Sequence, residues 1–124
     1  MPHERRLFGN HGEQLAAAFL QKKGMRVLFR QHRTPFGEID LICLDHESYV
    51  FVEVKTRRTP IYGPPQASIT PRKFRHMAAA AQIFLAERGW HARPWRLDVM
   101  AIDQSVAGET RMTHFPAIDS PAAF

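Results

Sequence analysis

Gly37-Glu38-Ile39-Asp40-Leu41-Ile42-Cys43-Leu44 and, beyond a short connection, Tyr49-Val50-Phe51-Val52-Glu53-Val54-Lys55-Thr56 are the stretch on which the fold turns. Both segments are apolar and partly β-branched, as strands are. Asp45-His46-Glu47-Ser48 between them has the composition of a hairpin connection. A two- or four-residue connection centred there pairs Leu44 with Tyr49. If no bulge intervenes, the same register sets Asp40 opposite Glu53 and Glu38 opposite Lys55. Side chains alternate along a strand, so Glu53 and Lys55 share a face with Phe51, while Val50, Val52 and Val54 occupy the other. Directly opposed residues also share a face, and the four charges therefore converge on one patch.

Working outward, apolar residues recur at helical spacing from about Glu4 to Lys23, with Ala16, Ala17, Phe19 and Leu20 on one side and Gly24 ending the run. Met25 to Gln31 reads as a first strand, closed by the turn residues Thr34-Pro35-Phe36-Gly37. On the other side, Arg57 to Thr70 contains Pro60, Gly63, Pro64 and Pro65, which predict a long loop. Thr70-Pro71 suits a helix start, and Phe74, Ala78, Ala81 and Leu85 share a face before Gly89. Trp95 to Ile102 predicts a fourth strand and Met112 to Ile118 a weaker fifth, with 119–124 as a frayed tail. The expected architecture is an αβββαβ core with an added strand, a mixed sheet of four or five strands between helices, forming one domain over residues 1–124.

The chain's 124 residues suit one domain, and 44% of them are hydrophobic, enough for a core. Lys and Arg outnumber Asp and Glu by 17 to 12. That excess favours a polyanionic partner, with nucleic acid the leading class. The single Cys43 excludes an internal disulfide, and no Cys/His cluster has zinc spacing. The charged N-terminus has no long apolar run after it, so neither a signal peptide nor a membrane span is expected, and the reading is a cytoplasmic protein. The sequence is compatible with a homodimer without indicating one.

Two carboxylates directly opposed on a sheet repel. A divalent cation removes the repulsion, because carboxylate oxygens are the hard ligands that magnesium prefers and its other positions keep water or accept phosphate oxygens. Lys55, two residues from Glu53, then suits three roles: orienting water, deprotonating it, or stabilising the transition state. The competing interpretation is a solvated face with a Glu38–Lys55 ion pair. It is weakened because strand three is apolar apart from Glu53 and Lys55.

Gly37-Glu38-Ile39-Asp40-Leu41-Ile42 and Val50-Phe51-Val52-Glu53-Val54-Lys55-Thr56-Arg57 resemble the signatures of the YraN family (uncharacterised protein family 0102), predicted endonucleases of the PD-(D/E)XK superfamily. The resemblance extends to Gly12-Glu13, Tyr62-Gly63, Lys73, Arg96 and Asp98-Val99, and so to about Ile102. It implies a restriction-endonuclease-like fold related to archaeal Holliday junction resolvases, with Mg2+ or Mn2+ as cofactor and DNA, branched forms included, as substrate. Asp40, Glu53 and Lys55 match the D…(D/E)XK core. Glu13 matches a helix-one carboxylate that assists metal binding, although spacing alone favours an arginine partner for it. Ile39 stands where the superfamily name has proline, which is not a ligand.

Glu38 is either a supporting group at the site or the mate of Lys55, and Gln66 follows the Pro-rich loop and is within reach of the site. Arg57, Arg58, Arg72, Lys73 and Arg75 are candidates for gripping phosphates. Asp98 suits an ion pair with Arg96 or a helix residue, and Cys43 suits the core. The seven histidines show no paired spacing and are read as surface residues; Tyr62, Trp90 and Trp95 are read first as packing.

Overall fold

Helix α1 (Pro2–Lys22) leads into strands β1 (Arg26–Thr34), β2 (Gly37–Asp45) and β3 (Ser48–Arg58), then helix α2 (Pro71–Glu87) and strands β4 (Trp95–Gln104) and β5 (Thr110–Phe115). This computed structural model describes residues 2–58, 69–105 and 107–118, with side chains from residue 11 onward. The strands form one sheet in the order β1-β2-β3-β4-β5. Neighbours are antiparallel except β3 and β4, which are parallel. A parallel pair needs a crossover, and α2 lies within it. The result is the expected mixed sheet between helices, consistent with a restriction-endonuclease-like fold.

Local chemistry ends each helix where the sequence reading placed the stop. Gly24 at φ 99° lets its N–H reach the Gln21 carbonyl and the Met25 N–H reach that of Leu20, which satisfies the last orphan carbonyls of α1. Thr70 caps α2 by accepting the Lys73 N–H at 3.1 Å, with Pro71 at the first helical position.

Each helix covers one face. Ala16, Ala17 and Leu20 of α1 pack on Leu41, Cys43, Val50, Val52, Met100 and Ile102. Ala81, Phe84 and Leu85 of α2 pack on Ile42, Phe51, Leu97 and Val99. Phe84 is fully buried, edge-on to Phe51 and Trp90, so Trp90 is packing as expected, stacked on Tyr49 at 4.9 Å. Gly12 brings α1 close to β3, because a Cβ there would overlap the Thr56 methyl.

Several boundaries differ from expectation. β1 continues past Gln31 to Thr34, since its pairing with β2 runs to Thr34↔Gly37 around the two-residue turn Pro35-Phe36. β5 ends at Phe115 rather than Ile118. Ala117 has φ 54°, which turns the chain so that its N–H reaches Asp98 Oδ1 at 2.9 Å, and the Ile118 N–H then bonds the Leu97 carbonyl.

Asp98, fully buried on β4, also receives Arg96 Nε at 3.0 Å and lies 2.7 Å from His114 Nε2. Burial alone would raise this acid, but hydrogen bonds from His114, Arg96 and the Ala117 amide hold it below the usual carboxylate range. The surface reading is therefore wrong for His114. Its side chain is only 4% exposed and bridges Asp98 to Lys23 Nζ, which lies 2.9 Å from Nδ1. Asp98→Ala strands three partners in the interior and is expected to cost about 3 kcal/mol or more of unfolding free energy. Urea denaturation checks this, and a loss below about 1 kcal/mol would show the network to be incidental.

Candidate functional site

The β2–β3 ladder keeps the expected register from Asp45↔Ser48 to Leu41↔Val52 and then stops. Beyond that point Asp40 Oδ2 accepts the Val54 N–H at 2.8 Å, so a side chain takes the place of a backbone carbonyl. Alternation slips at the same position. Ile39 and Ile42 both pack on the α2 side and Leu41 on the α1 side, whereas a regular strand would put Ile39 with Leu41. Asp40–Glu53 and Glu38–Lys55 are consequently not ladder pairs. Glu38 instead meets Arg33, its neighbour on β1, at 3.8 Å, an exposed contact that contributes little.

The interruption opens a fork where groups from three elements meet. Carboxylate oxygens of Glu13 on α1 and of Glu38 and Asp40 on β2 lie within 4.8 Å of one another. Gln31 Nε2 donates to Glu13 Oε1 at 3.0 Å, in place of the arginine that spacing favoured. Gln31 itself has φ 51°. A glutamine there carries no sequence signal for left-handed backbone, and the reading missed it.

Glu53 is only 8% exposed, and Lys73 Nζ approaches its carboxylate at 3.4 Å. Lys73, expected on phosphate, is thus also the cation facing a buried acid. Lys55 is half-buried two residues on from Glu53. The Arg57 guanidinium engages Asp103 at 2.8 and 3.3 Å, a structural partner that the sequence reading did not assign. Arg58, Arg72 and Arg75 are exposed, while Gln66 and Tyr62 lie outside the described residues.

Burial pushes the Asp40 carboxyl up to about 8, and the neighbouring Glu53 and Glu13 charges add to this; the Val54 N–H and Lys73 oppose it. Glu13 is likewise raised by burial and by the charges of Glu38 and Glu53, against the hydrogen bonds of Gln31 and Asp40. Acids this crowded hold a proton or a cation more readily than separate charges. Hard oxygen donors at this spacing are the set a small divalent cation takes, with modest closure of the group, and binding it would release the proton. The Glu13, Glu38 and Asp40 group can therefore hold a metal ion.

The model of uncharacterised protein family UPF0102 matches residues 12–102, a span holding all these acids and Lys73. A UPF0102 protein of Anaeromyxobacter dehalogenans is 43% identical over 113 residues, covering 91% of this chain and 84% of its own. One from Syntrophotalea carbinolica is 40% identical over 116 residues, 94% of each chain. That of Geobacter sulfurreducens is 40% identical over 112 residues, 90% of this chain and 88% of its own.

The folded-state value for Asp40 lies above the ordinary 3.8, so the folded protein binds its proton more tightly than the unfolded chain. The associated stability is complete below about pH 4 and is lost as pH rises through about 8. Asp40→Asn keeps an acceptor for Val54 but carries no charge. In chelator the variant is expected to melt above the wild type at pH 8, with the gap narrowing toward pH 5. Melting curves at the two pH values check this, and a gap that widens toward acid would contradict it.

Proposed function

The chain belongs to uncharacterised protein family UPF0102, and we propose that it is a magnesium- or manganese-dependent endonuclease hydrolysing phosphodiester bonds in DNA. The observation that carries this reading is the fork itself: Glu13, Glu38 and Asp40 meet where β2 leaves β3, with Glu53 buried close enough to raise Asp40. Stability alone disfavours such crowding. Asp40, Glu53 and Glu13 are the proposed metal ligands, with Glu38 supporting them. When bound, the metal supplies Lewis acidity and a more acidic water.

The remaining work falls to side chains of this chain. Asp40 is anchored by the Val54 amide, which fixes the direction of its second oxygen. Lys73 balances Glu53 and can move its ammonium to a phosphate oxygen. Lys55 orients or deprotonates the attacking water, or meets charge on the phosphoryl oxygens. As water adds to phosphorus its proton passes to a base, the P–O bond breaks, and the leaving oxygen takes a proton. Arg58, Arg72 and Arg75 hold the strand through its phosphates, with Arg57 beside them.

The resemblance to junction resolvases extends the proposal to branched DNA. The proposed location is the cytoplasm and the proposed organisation one nuclease domain; no helix among the described residues is long and apolar enough to cross a membrane. The alternative is a DNA-binding protein without catalysis, acting in DNA processing or uptake. The Lys73–Glu53 ion pair favours it to the extent that a protein ammonium already satisfies that acid.

Substitutions separate the two readings. Glu53→Ala is expected to lose both manganese affinity by calorimetry and cleavage. Lys55→Ala should keep metal and DNA while cleavage falls by roughly two powers of ten. Single-stranded, duplex, flapped and four-way DNA should be assayed with magnesium and with manganese. If the wild type cuts none of them, the binding-protein reading replaces this one; if it cuts and Lys55→Ala cuts as fast, the role given to Lys55 falls while the nuclease reading stands.

A further inference from the structure

Phe29 and Phe36 are the exposed large hydrophobic residues among those described. Phe29 is accounted for by packing: Arg88 lies over its ring at 5.1 Å, and Phe84 meets it edge-on at 5.5 Å. Phe36 is different. It is 43% exposed at the tip of the β1–β2 hairpin, with the His76 ring 6.4 Å away and tilted by 50°.

The hairpin tip is braced rather than slack. Thr34 Oγ1 accepts the Phe36 N–H at 3.1 Å and donates to the Gly37 carbonyl at 2.8 Å, Pro35 restricts the backbone, and Gly37 supplies φ 116°. An apolar ring is therefore held into solvent by a shaped turn, although a polar residue would serve a plain turn better. It also faces the candidate site. Phe36, His76 and Met77 line one cavity of about 200 Å³ together with Glu38, Glu53 and Lys73.

A nucleotide presented to this cleft has two ends with different needs. Its phosphate suits Lys73 and the exposed Arg72 at the start of α2, where the first turn carries no acidic side chain. Its base has an apolar π-face, and the exposed Phe36 ring with its His76 neighbour lines the same cavity as Lys73. In an intact duplex that face is covered by the adjacent base pairs; in a single strand, flap or frayed end it is available. We propose that Phe36, backed by His76, is a stacking wall for the base of an unpaired nucleotide, so that the cleft selects single-stranded segments of DNA over intact duplex. This inference rests on the nuclease reading and narrows its substrate class.

The test is binding of a fluorescent single-stranded oligonucleotide and of a blunt duplex of the same length, in chelator at low salt so that nothing is cut. Phe36→Ala is expected to weaken single-strand binding about tenfold, the scale of one lost base–aromatic contact, with little change on duplex. Phe36→Tyr should retain the affinity and Phe36→Leu should not, which separates π-stacking from mere apolar bulk. Equal losses on both DNAs, no loss on either, or full retention by Phe36→Leu would overturn the stacking wall while leaving the nuclease reading in place. If the wild type holds neither DNA, the stacking wall falls, while the nuclease reading is decided separately by the cleavage assay with metal present. Melting temperatures of the three variants, expected to match the wild type at this exposed turn, exclude misfolding as the cause.

Discussion

At Asp40, backbone hydrogen-bond accounting and electrostatics meet in one side chain. The ladder between β2 and β3 ends at Leu41↔Val52, and the amide of Val54 would be left without an acceptor in a partly buried fork if the Asp40 carboxylate did not take it. An unsatisfied buried donor costs about 1–3 kcal/mol, so the acid is held where the strands part. That placement buries it beside Glu13 and Glu53, and burial first, with the neighbouring charges second, makes its own charge costly. The strand break, the weakened acid and the gathered oxygens all follow from the same exchange of a backbone acceptor for a side-chain one.

The field around the fork has two scales. Over the whole chain the balance is +5, which draws polyanions from a distance. Within a few ångströms the sign reverses, because Glu13, Glu38 and Asp40 lie together with Glu53 near them. A phosphate brought in by the outer field meets carboxylates at the end of its path and is repelled unless a proton, Lys73 or a cation offsets them. This opposition of near and far charge is easier to reconcile with a site that takes a metal than with a surface whose only task is to bind DNA.

Much of the architecture was legible because it rests on local rules. Gly24, Thr70-Pro71 and Gly89 mark helix ends by backbone chemistry, and the alternation of Val50, Phe51 and Val52 assigns the two faces of the sheet correctly. The hairpin register was readable from its turn as far as Leu41. It failed at Asp40 because a side chain replaced a main-chain acceptor there, and no pattern of apolar residues encodes that exchange. The partners of Glu13 and Glu53 were hidden for a related reason: Gln31 and Lys73 come from elements whose approach depends on the tertiary packing. His114 read as surface because a lone histidine in a polar strand looks so. Only the fold brings the buried Asp98 against it.

The close approach of α1 to β3 at Gly12 ties two distant positions into one geometric variable. A methyl group added at residue 12 would have to share space with the Thr56 side chain, and Ile102 closes the third side. Helix and strand can therefore change here only together: bulk gained on one must be removed from the other, or the helix must lift. Glu13 is the next residue along α1, so any lift carries its carboxylate away from Asp40. Substitutions at 12 and 56 should thus be strongly non-additive, each harmful alone and milder as a volume-matched pair, although neither side chain bears a charge.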